Sequence, residues 1–263
     1  MFDIHYHLLD GVDDGPRTLE DSLALAEASI KEGVTHIVAT PHSNHEFAFR
    51  PDVNRERLAI LNDRLKGRLT LGLGCDFHLS YENLEDLRRD QAKYTINGKQ
   101  YLLVEFSDSS IPATTTDILY ELQLLGLVPI ITHPERNPIL VNNPTRLTEW
   151  IRGGCLVQVT AASLTGRFGR RAKSMSYDLI GKNWVHFIAS DAHSIEGRPP
   201  SLGEAHQILS SEFGRETADR LCIENPGAAF RGDQLGMQPE PAGLYEETRR
   251  DKRGFFKGIF GGG

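Results

Sequence analysis

The chain has 263 residues and an ordinary globular composition, which is enough to bury the core of one large α/β domain or of two small ones. Its formal net charge of -7 disfavours a nucleic-acid partner held through phosphate contacts. Three widely spaced cysteines indicate reduced thiols in a cytoplasmic setting, the N-terminus has no secretory leader pattern, and no stretch has the ~20 apolar residues of a membrane span.

Short apolar or β-branched runs alternate with longer helix-like segments, which is typical of βαβ units and a parallel sheet. No glycine-rich phosphate loop follows any of the runs, so the pattern favours a barrel of the (β/α) kind over an open nucleotide-binding sheet. Seven runs are predicted to be strands: 2–7, 36–40, 69–76, 101–106, 127–132, 156–160 and 185–190.

The clearest helix signal covers residues 18–33, where Leu19, Leu23 and Ala26 form an apolar stripe. Thr18 is the expected N-cap, and Gly33 is expected to end the helix. The last helix-like segment is 201–214.

The composition changes after about Gly232, where a Pro- and Gly-containing linker leads into a basic and aromatic tail. We therefore predict one domain over residues 1–232 and a linker with a C-terminal tail over residues 233–263. The tail could contact anionic lipid, a neighbouring subunit or its own domain, because basic side chains alternate with aromatic ones.

Side chains of metal-binding types stand at the carboxyl ends of the predicted strands. The carboxyl ends of parallel strands meet at one face, so these side chains are expected to lie together. They exceed the needs of one ion and predict two or three divalent cations, and nitrogen and oxygen ligands without thiolates favour manganese, iron or zinc over calcium. The candidates are His5, His7, Asp14, His42, Asp76, Glu105, His133, Asp191 and His193.

Several motifs agree with one known family. They are His5-x-His7, "ATPH" at 39–42, "LVEF" at 103–106, "THPER" at 132–136, "LVQVTAASLTGRFG" at 156–169 and "IASDAH" at 188–193. Together they resemble the polymerase-and-histidinol-phosphatase (PHP) superfamily over roughly residues 1–230, and more narrowly its bacterial manganese-dependent protein-tyrosine phosphatases of capsule and exopolysaccharide systems. The resemblance implies a distorted seven-stranded (β/α) barrel with a trinuclear metal site.

The resemblance also implies roles for the candidate residues. One ion is held by His5, His7, Glu105 and Asp191, with Glu105 bridging to a second ion at Asp76 and His133, and a third ion lies at Asp14, His42 and His193. Asp76 departs from the family, which usually has a longer glutamate there. The occupancy of the ion at Asp76 is therefore the part of the expected site that depends on this difference. Arg136 and Arg198 resemble the phosphate-contacting arginines of the family, and a planar guanidinium matches phosphate geometry.

Closely spaced metals lower the pKa of a bridging water towards ~7 and offer hydroxide for in-line attack on phosphorus. The chain has neither the C-x5-R motif of cysteine phosphatases nor the D-x-D motif of aspartyl-phosphate enzymes, so no covalent phosphoenzyme is expected. Cys75 is expected to be an apolar filler.

The favoured function is hydrolysis of phosphotyrosine on the tail of a membrane-associated bacterial kinase, by an enzyme that is cytoplasmic or peripheral to the membrane. The alternatives are a phosphatase for a small phosphomonoester such as histidinol phosphate, a PHP exonuclease, an amidohydrolase, or a metal-binding regulator without turnover. The acidic net charge disfavours the exonuclease, and Glu105 stands where amidohydrolases commonly use a carbamylated lysine.

Two segments near the expected site have two interpretations each. Phe47 and Phe49 either form the wall of a pocket for a phenyl ring or pack a loop against the core. The basic residues of 167–173 are either a solvated helix start or a surface that attracts an acidic peptide around a phosphotyrosine. His45 and His78 are expected to be solvated loop residues close to the mouth of the site.

Overall fold

The computed structural model describes residues 1–244, so the predicted tail beyond Leu244 lies outside the described residues. The strands β1 to β9 are Phe2–Tyr6, His36–Ala39, His42–Ser43, Thr70–Leu73, Asp76–His78, Tyr101–Glu105, Val128–Thr132, Leu156–Thr160 and Phe187–Ala189. The helices α1 to α11 are Leu19–Lys31, Pro51–Leu65, Tyr81–Arg89, Thr115–Leu124, Pro138–Asn142, Thr145–Arg152, Ala161–Thr165, Gly169–Gly181, Leu202–Glu212, Arg215–Asp219 and Asn225–Arg231. Short 3-10 turns at Gln91–Lys93 and Ile96–Gly98 and a π-helical turn at Arg220–Glu224 complete the set.

All paired strands are parallel, which confirms the predicted mixed α/β class. β1, β2 and β4 form one sheet, and the other six strands form a second sheet in the order β3-β5-β6-β7-β8-β9. The chain returns to its first strand at Ala192, which forms an isolated bridge with Tyr6 and accepts a hydrogen bond from the His7 backbone at 3.0 Å. Neither sheet closes on itself within residues 1–244, so the seven-stranded barrel stays a prediction.

Nine strands are found where seven runs are predicted, because two short strands follow β2 and β4. β2 lies within the run at 36–40, and β3 follows beyond that run after a break at Pro41, which has no backbone N–H to donate. β4 lies within the run at 69–76, and after a break at Gly74 the chain enters β5, which begins at the last residue of that run and extends past it. Hydrogen bonds continue across both breaks, from Gly74 N to Ala39 O at 2.8 Å and from Asp76 N to Pro41 O at 3.2 Å. The short pair β3–β5 that follows places His42 directly opposite Asp76.

The core has two parts, which alternate along the strands with the period of two expected of a pleated strand. On β6, Leu103 belongs to a smaller cluster made mainly of strand side chains and one residue of α11, Ala229. Its neighbours Leu102 and Val104 belong to a larger cluster between the strands and the helices. Both faces of the strands are therefore covered, as in parallel sheets generally.

The predicted helix at 18–33 is confirmed as α1. Thr18 is its N-cap and forms a reciprocal capping box with Asp21, and Gly33 follows the helix at φ +87°. The buried stripe is shifted by a few residues from the prediction, because Leu25 and Ala26 are fully buried while Leu19 packs at the edge of the core.

The chain after residue 214 contains helices that the prediction did not include. Pro226 lacks the N–H that would continue a regular helix, and a π-helical turn over Arg220–Glu224 precedes it, in which Asn225 N bonds back to Arg220 O. The predicted linker then packs back on the domain, since Trp184 Nε1 donates to Ala242 O at 2.8 Å and Leu244 is buried. Within residues 1–244, no helix is both long and apolar enough to cross a membrane.

Asn97 is expected to be important for stability because it joins β4 to α11. It has φ +52°, its Oδ1 accepts from Leu73 N at 3.1 Å and its Nδ2 donates to Phe230 O at 2.8 Å. We expect Asn97→Ala to lower the free energy of unfolding by about 1–3 kcal/mol, since both groups lose their partner and alanine disfavours this backbone conformation.

The measurement is urea unfolding followed by circular dichroism. Asn62→Ala on the exposed face of α2 is the matched control and should change stability by less than about 0.5 kcal/mol. Equal stability of the two variants would contradict a stabilising role for the two hydrogen bonds by which Asn97 joins β4 to α11.

Candidate metal centre

The carboxyl ends of the strands bring all of the predicted metal ligands to one edge of the fold. His5 lies on β1, His42 begins β3, Asp76 begins β5 and Glu105 ends β6. The remaining candidates lie in the loops that follow strands: His7 and Asp14 after β1, His133 after β7, and Asp191 and His193 after β9. Residues that are far apart in sequence therefore meet because parallel strands end at the same edge.

Three groups of side chains are close enough to hold an ion each, with one donor atom per residue within 4.8 Å of the others in its group. The groups are His7, Asp14, His42 and His193; then His5, His7 and Asp76; then His42, Asp76 and Glu105. His133 stands beside them, with Nε2 3.8 Å from Glu105 Oε1. Asp76 thus lies between His5 and His42, whereas the resemblance pairs it with His133.

Hydrogen bonds fix the orientation of three of the histidine rings. Nδ1 donates to Gln158 Oε1 at 3.0 Å in His5, to Asp13 Oδ2 at 2.7 Å in His7, and to the Asp191 carbonyl at 2.8 Å in His193. In each case Nε2 is the ring nitrogen that faces the cluster, and it can bind a metal ion once it carries no proton. This is the arrangement by which polar neighbours orient metal-ligating histidines.

Several buried polar atoms of the cluster have no hydrogen-bond partner among the described residues. An unpaired buried polar atom is costly, and most such atoms in folded proteins are satisfied. In this cluster the unpaired nitrogen and oxygen atoms face one another. Cations bound between these atoms would satisfy them. The unpaired atoms are Nε2 of His5, His7 and His193, Nδ1 of His42, and both carboxylate oxygens of Asp76.

The electrostatics of the cluster also require positive charge. Burial lowers the pKa of His5, but Asp76 and Asp191 outweigh burial and raise it to about 9. Burial likewise opposes protonation of His42, yet Asp14, Asp76 and Glu105 raise its pKa to about 11. The carboxylates thus hold protons on these histidines, and a metal ion must displace those protons to bind.

Two residues of the cluster have strained backbone. His133 has φ +32° and Asp191 has φ +52°, a region that side chains other than glycine rarely adopt. Such conformations cost roughly 1–3 kcal/mol each and are concentrated at functional sites. Both strained residues lie just after a strand, His133 after β7 and Asp191 after β9.

Both candidate arginines reach the cluster through its carboxylates. Nη1 of Arg136 donates to Asp191 Oδ2, and its guanidinium lies 4.3 Å from the centre of the Phe168 ring. Nη2 of Arg198 donates to Asp14 Oδ2 at 2.6 Å. A phosphate bound at the cluster would therefore lie within reach of two guanidinium groups.

Sequence reasoning missed three supporting residues. Asp13 and Gln158 orient His7 and His5, as described above, and buried Glu135 accepts hydrogen bonds from Thr160 N at 2.9 Å and Ser163 Oγ at 2.7 Å. Signals for them exist in the sequence. Asp13 adjoins a ligand candidate in the same turn, and Gln158 is a polar residue inside an apolar strand run.

The structure separates the two phenylalanines near the site. Phe49 is buried and packs on Tyr94 with ring centres 5.3 Å apart, whereas Phe47 is partly exposed with its ring centre 6.0 Å from that of His42. His45 is exposed, and Nδ1 of partly buried His78 lies 3.7 Å from Glu105 Oε2.

The three cysteines are free and buried. Burial raises the pKa of Cys155 to about 12, and burial together with the nearby carboxylates raises that of Cys75 well above its ordinary value. Neither thiol has the depressed pKa that a nucleophile needs.

Parallel sheets with facing histidine and carboxylate donors at their carboxyl edge define an α/β protein with clusters of side chains that could hold metal. The family follows from comparison with known proteins. Residues 1–231 match the model of the family described as "Capsular polysaccharide synthesis, CpsB/CapC", and the chain belongs to this family. The resemblance drawn from the sequence motifs is thereby confirmed.

Two relatives are similar to this chain over most of its length. The chain is 36% identical over 261 residues to the tyrosine-protein phosphatase YwqE of Bacillus subtilis, covering 97% of this chain and 100% of the relative. It is 41% identical over 206 residues to the putative tyrosine-protein phosphatase CapC of Staphylococcus aureus, covering 76% and 79% of the two chains.

Solved structures agree with the sequence relatives. A structure from the work on YwqE of Bacillus subtilis and CpsB of Streptococcus pneumoniae, described as unique metal-dependent tyrosine phosphatases, matches with a TM-score of 0.85 at 35% identity, covering 92% of this chain and 99% of that chain. A lactonase from Listeria monocytogenes matches with a TM-score of 0.60 at 9% identity, covering 89% and 95% of the two chains, and shares the fold alone.

The pKa of His5 predicts a pH-dependent stability of the protein stripped of metal. Because its pKa rises from 6.5 to about 9 on folding, the stabilisation by protonated His5 is fully present below pH 6.5 and is lost as the pH rises through about 9. We expect the free energy of unfolding of chelator-treated protein to fall by on the order of 3 kcal/mol across this window.

Urea titrations at several pH values measure this fall, with His5→Gln as the variant and manganese-loaded protein as the control. The free energy of unfolding of His5→Gln should decrease less over this pH range than that of the wild type. The manganese-loaded protein should show no such decrease. An identical fall in His5→Gln would show that another group is responsible.

Proposed function

We propose that this protein hydrolyses phosphotyrosine on the tail of a bacterial tyrosine kinase that controls capsule or exopolysaccharide synthesis. The predicted class of enzyme, a metal-dependent protein-tyrosine phosphatase, is confirmed by the family and by the relatives named above. The kinase tail as substrate and manganese as the metal are the proposed part. The observation that carries the proposal is the convergence of Arg136 and Arg198 on carboxylates of the candidate metal centre.

The proposed ligand sets follow from the distances between donor atoms, since ligands of one ion with bonds of about 2.1 Å lie roughly 3–3.5 Å apart. Nε2 of His5 and Nε2 of His7 are each 3.4 Å from Asp191 Oδ1, which supports a first ion held by these three residues and Glu105.

The third set, Asp14 with His42 and His193, has separations of 3.4 and 3.2 Å. Glu105, His133 and Asp76 would hold the second ion, and Asp76 Oδ2 lies 3.2 Å from His42 Nδ1 of the third set.

When bound, the ions supply a polarised water for in-line attack on phosphorus and charge to neutralise the phosphate oxygens. The residues of the chain bind and orient the substrate around them. Arg136 and Arg198 offer planar donors for the non-bridging phosphate oxygens, and Phe168 holds the plane of the Arg136 guanidinium. The buried cysteines take no part, so no covalent phosphoenzyme forms.

The two sheets act, in this proposal, as one distorted seven-stranded barrel. β2 with β3 and β4 with β5 each count as one interrupted strand, and hydrogen bonds cross both interruptions. The remaining seam is supported by two hydrogen bonds, from Asp191 N to His5 O at 2.9 Å and from His7 N to Ala192 O at 3.0 Å.

The proposed location is the cytoplasm, where the tail of a membrane-bound kinase would be accessible. Reduced cysteines support this location, because all three are free in the described part of the chain. The basic and aromatic segment after Leu244 is the proposed contact with anionic membrane or with a neighbouring subunit.

The central experiment compares phosphotyrosine peptides with histidinol phosphate, with manganese added and then chelated. We expect hydrolysis of the peptides that is abolished by chelation and restored by manganese. Cys75→Ala should retain turnover within about threefold, because its buried thiol is not the nucleophile. Preferential hydrolysis of histidinol phosphate would favour the second candidate, a small-metabolite phosphatase, and no hydrolysis at all would favour a regulator without turnover.

Two variants separate binding of metal from binding of phosphate. Glu105→Gln should lose metal and turnover together, because Glu105 faces His42, His78 and His133 at 3.7–3.8 Å. Arg136→Gln should retain metal and lower kcat/KM by about 100-fold, as expected for one donor to a reacting oxyanion.

Metal analysis of the purified variants beside steady-state kinetics provides the test. Full metal content in Glu105→Gln would show that the bridging role is wrong.

A further inference from the structure

A strongly basic surface borders the candidate metal centre. We call the basic rim the side chains of Arg167, Arg170, Arg171 and Lys173, at the start of α8. No acidic residue occurs between positions 161 and 177, although the whole chain carries a formal net charge of -7. The basic rim is therefore a local concentration of positive charge in a protein whose net charge is negative.

Two contacts attach the basic rim to the loops that carry the candidate arginines. The Phe168 ring stacks on the Arg136 guanidinium at 4.3 Å, and Arg167 Nη1 donates to Gly197 O at 3.1 Å, directly before Arg198. Arg170 follows Phe168 by two residues, at most about 7 Å along the chain. A peptide whose phosphotyrosine enters the site would thus pass close to the rim.

The charges of the basic rim are not neutralised within residues 1–244. Arg167, Arg170 and Arg171 are exposed, and none of the rim side chains pairs with a carboxylate in this part of the chain. Arg171 donates to the neutral Asn142 side chain at 2.8 Å, and the Lys173 ammonium lies 5.5 Å from the Tyr177 ring centre.

Helix stability does not account for these arginines. Arg170 and Arg171 lie in the first turn of α8, where cations oppose the helix dipole and acidic residues are favoured. The first turn contains no acidic residue. Helix stability alone would favour acidic residues at these two positions. The presence of arginines there is better explained by a binding partner that carries negative charge.

We propose that the basic rim binds acidic residues that flank the phosphotyrosine of the protein substrate. The inference rests on the proposed function and specifies its substrate class: phosphotyrosine segments rich in Asp or Glu. Attraction between exposed charges is modest for each pair and is screened by salt, so the rim contributes to capture of the peptide and leaves the chemical step to the metal centre.

The test uses two phosphotyrosine peptides of equal length, one with Asp and Glu around the phosphotyrosine and one with Asn and Gln in the same places. Wild-type enzyme should have a lower KM for the acidic peptide, and the difference should shrink at 0.5 M salt. Arg170→Gln should reduce the ratio of kcat/KM for acidic to neutral peptide by about twofold to fivefold. Arg170→Glu should invert the preference when a Lys-flanked peptide is included.

Arg64→Gln provides the matched control, because Arg64 is an exposed arginine in the last turn of α2, at the opposite edge of the fold. It should keep the ratio of the wild type. Equal kcat/KM for the two peptides in wild type, or an unchanged ratio in Arg170→Glu, would overturn the inference. Failure to hydrolyse either peptide would instead overturn the proposed function.

A membrane surface is the other anionic partner to test. Co-sedimentation with phosphatidylglycerol vesicles is measured for wild type and for Arg170→Glu. If Arg170→Glu abolishes vesicle binding but leaves the ratio of kcat/KM for acidic to neutral peptide unchanged, the partner of the basic rim is anionic lipid and not an acidic peptide. Equal sedimentation of the two proteins, with the expected change in peptide ratio, supports the acidic peptide.

Discussion

The whole site depends on one electrostatic constraint, the collection of carboxylates and imidazoles in a largely buried space. Asp76 and Asp191 are both buried, and their pKa values lie well below the ordinary range because protonated His5 and neighbouring positive groups stabilise their charge against the cost of burial. Like charges removed from water must be balanced, and protons, guanidinium groups and metal ions are the three available sources. The residues proposed to hold metal are therefore also the residues whose charge depends on pH and on the neighbouring arginines.

The interrupted strands explain how Asp76 takes its place in this cluster. The break at Gly74 allows β5 to begin at Asp76, opposite His42. A Cβ on Gly74 would lie 3.2 Å from Val38 Cγ1, so the close approach of the two chains favours glycine. The Asp76 side chain places Oδ2 3.5 Å from His5 Nε2 and 3.2 Å from His42 Nδ1. Its position in the cluster therefore depends on where the backbone starts β5.

The loop between α7 and α8 lies beside the two candidate phosphate-binding arginines. Glu135 ties the end of β7 to the start of α7, and Phe168 stacks on the adjacent Arg136. Arg167 holds the carbonyl that precedes Arg198. One short segment thus contacts Arg136 and the residue before Arg198. In the proposed function, the side chains that hold metal differ from those that bind the peptide.

The sequence by itself determined the mixed α/β class, because hydrophobic alternation along strand runs is a local property of the chain, and its motifs determined the family by resemblance. The position of polar residues after the strand runs also singled out the candidate ligands. His5, His7 and Asp191 could be singled out in this way, and so could the cap at Thr18. Only the tertiary structure decided which donors face one another, since that depends on strand order, register and the breaks that form two sheets. Asp76 beside His42, Gln158 behind His5 and Phe168 on Arg136 are contacts across long separations in sequence, which no local pattern encodes.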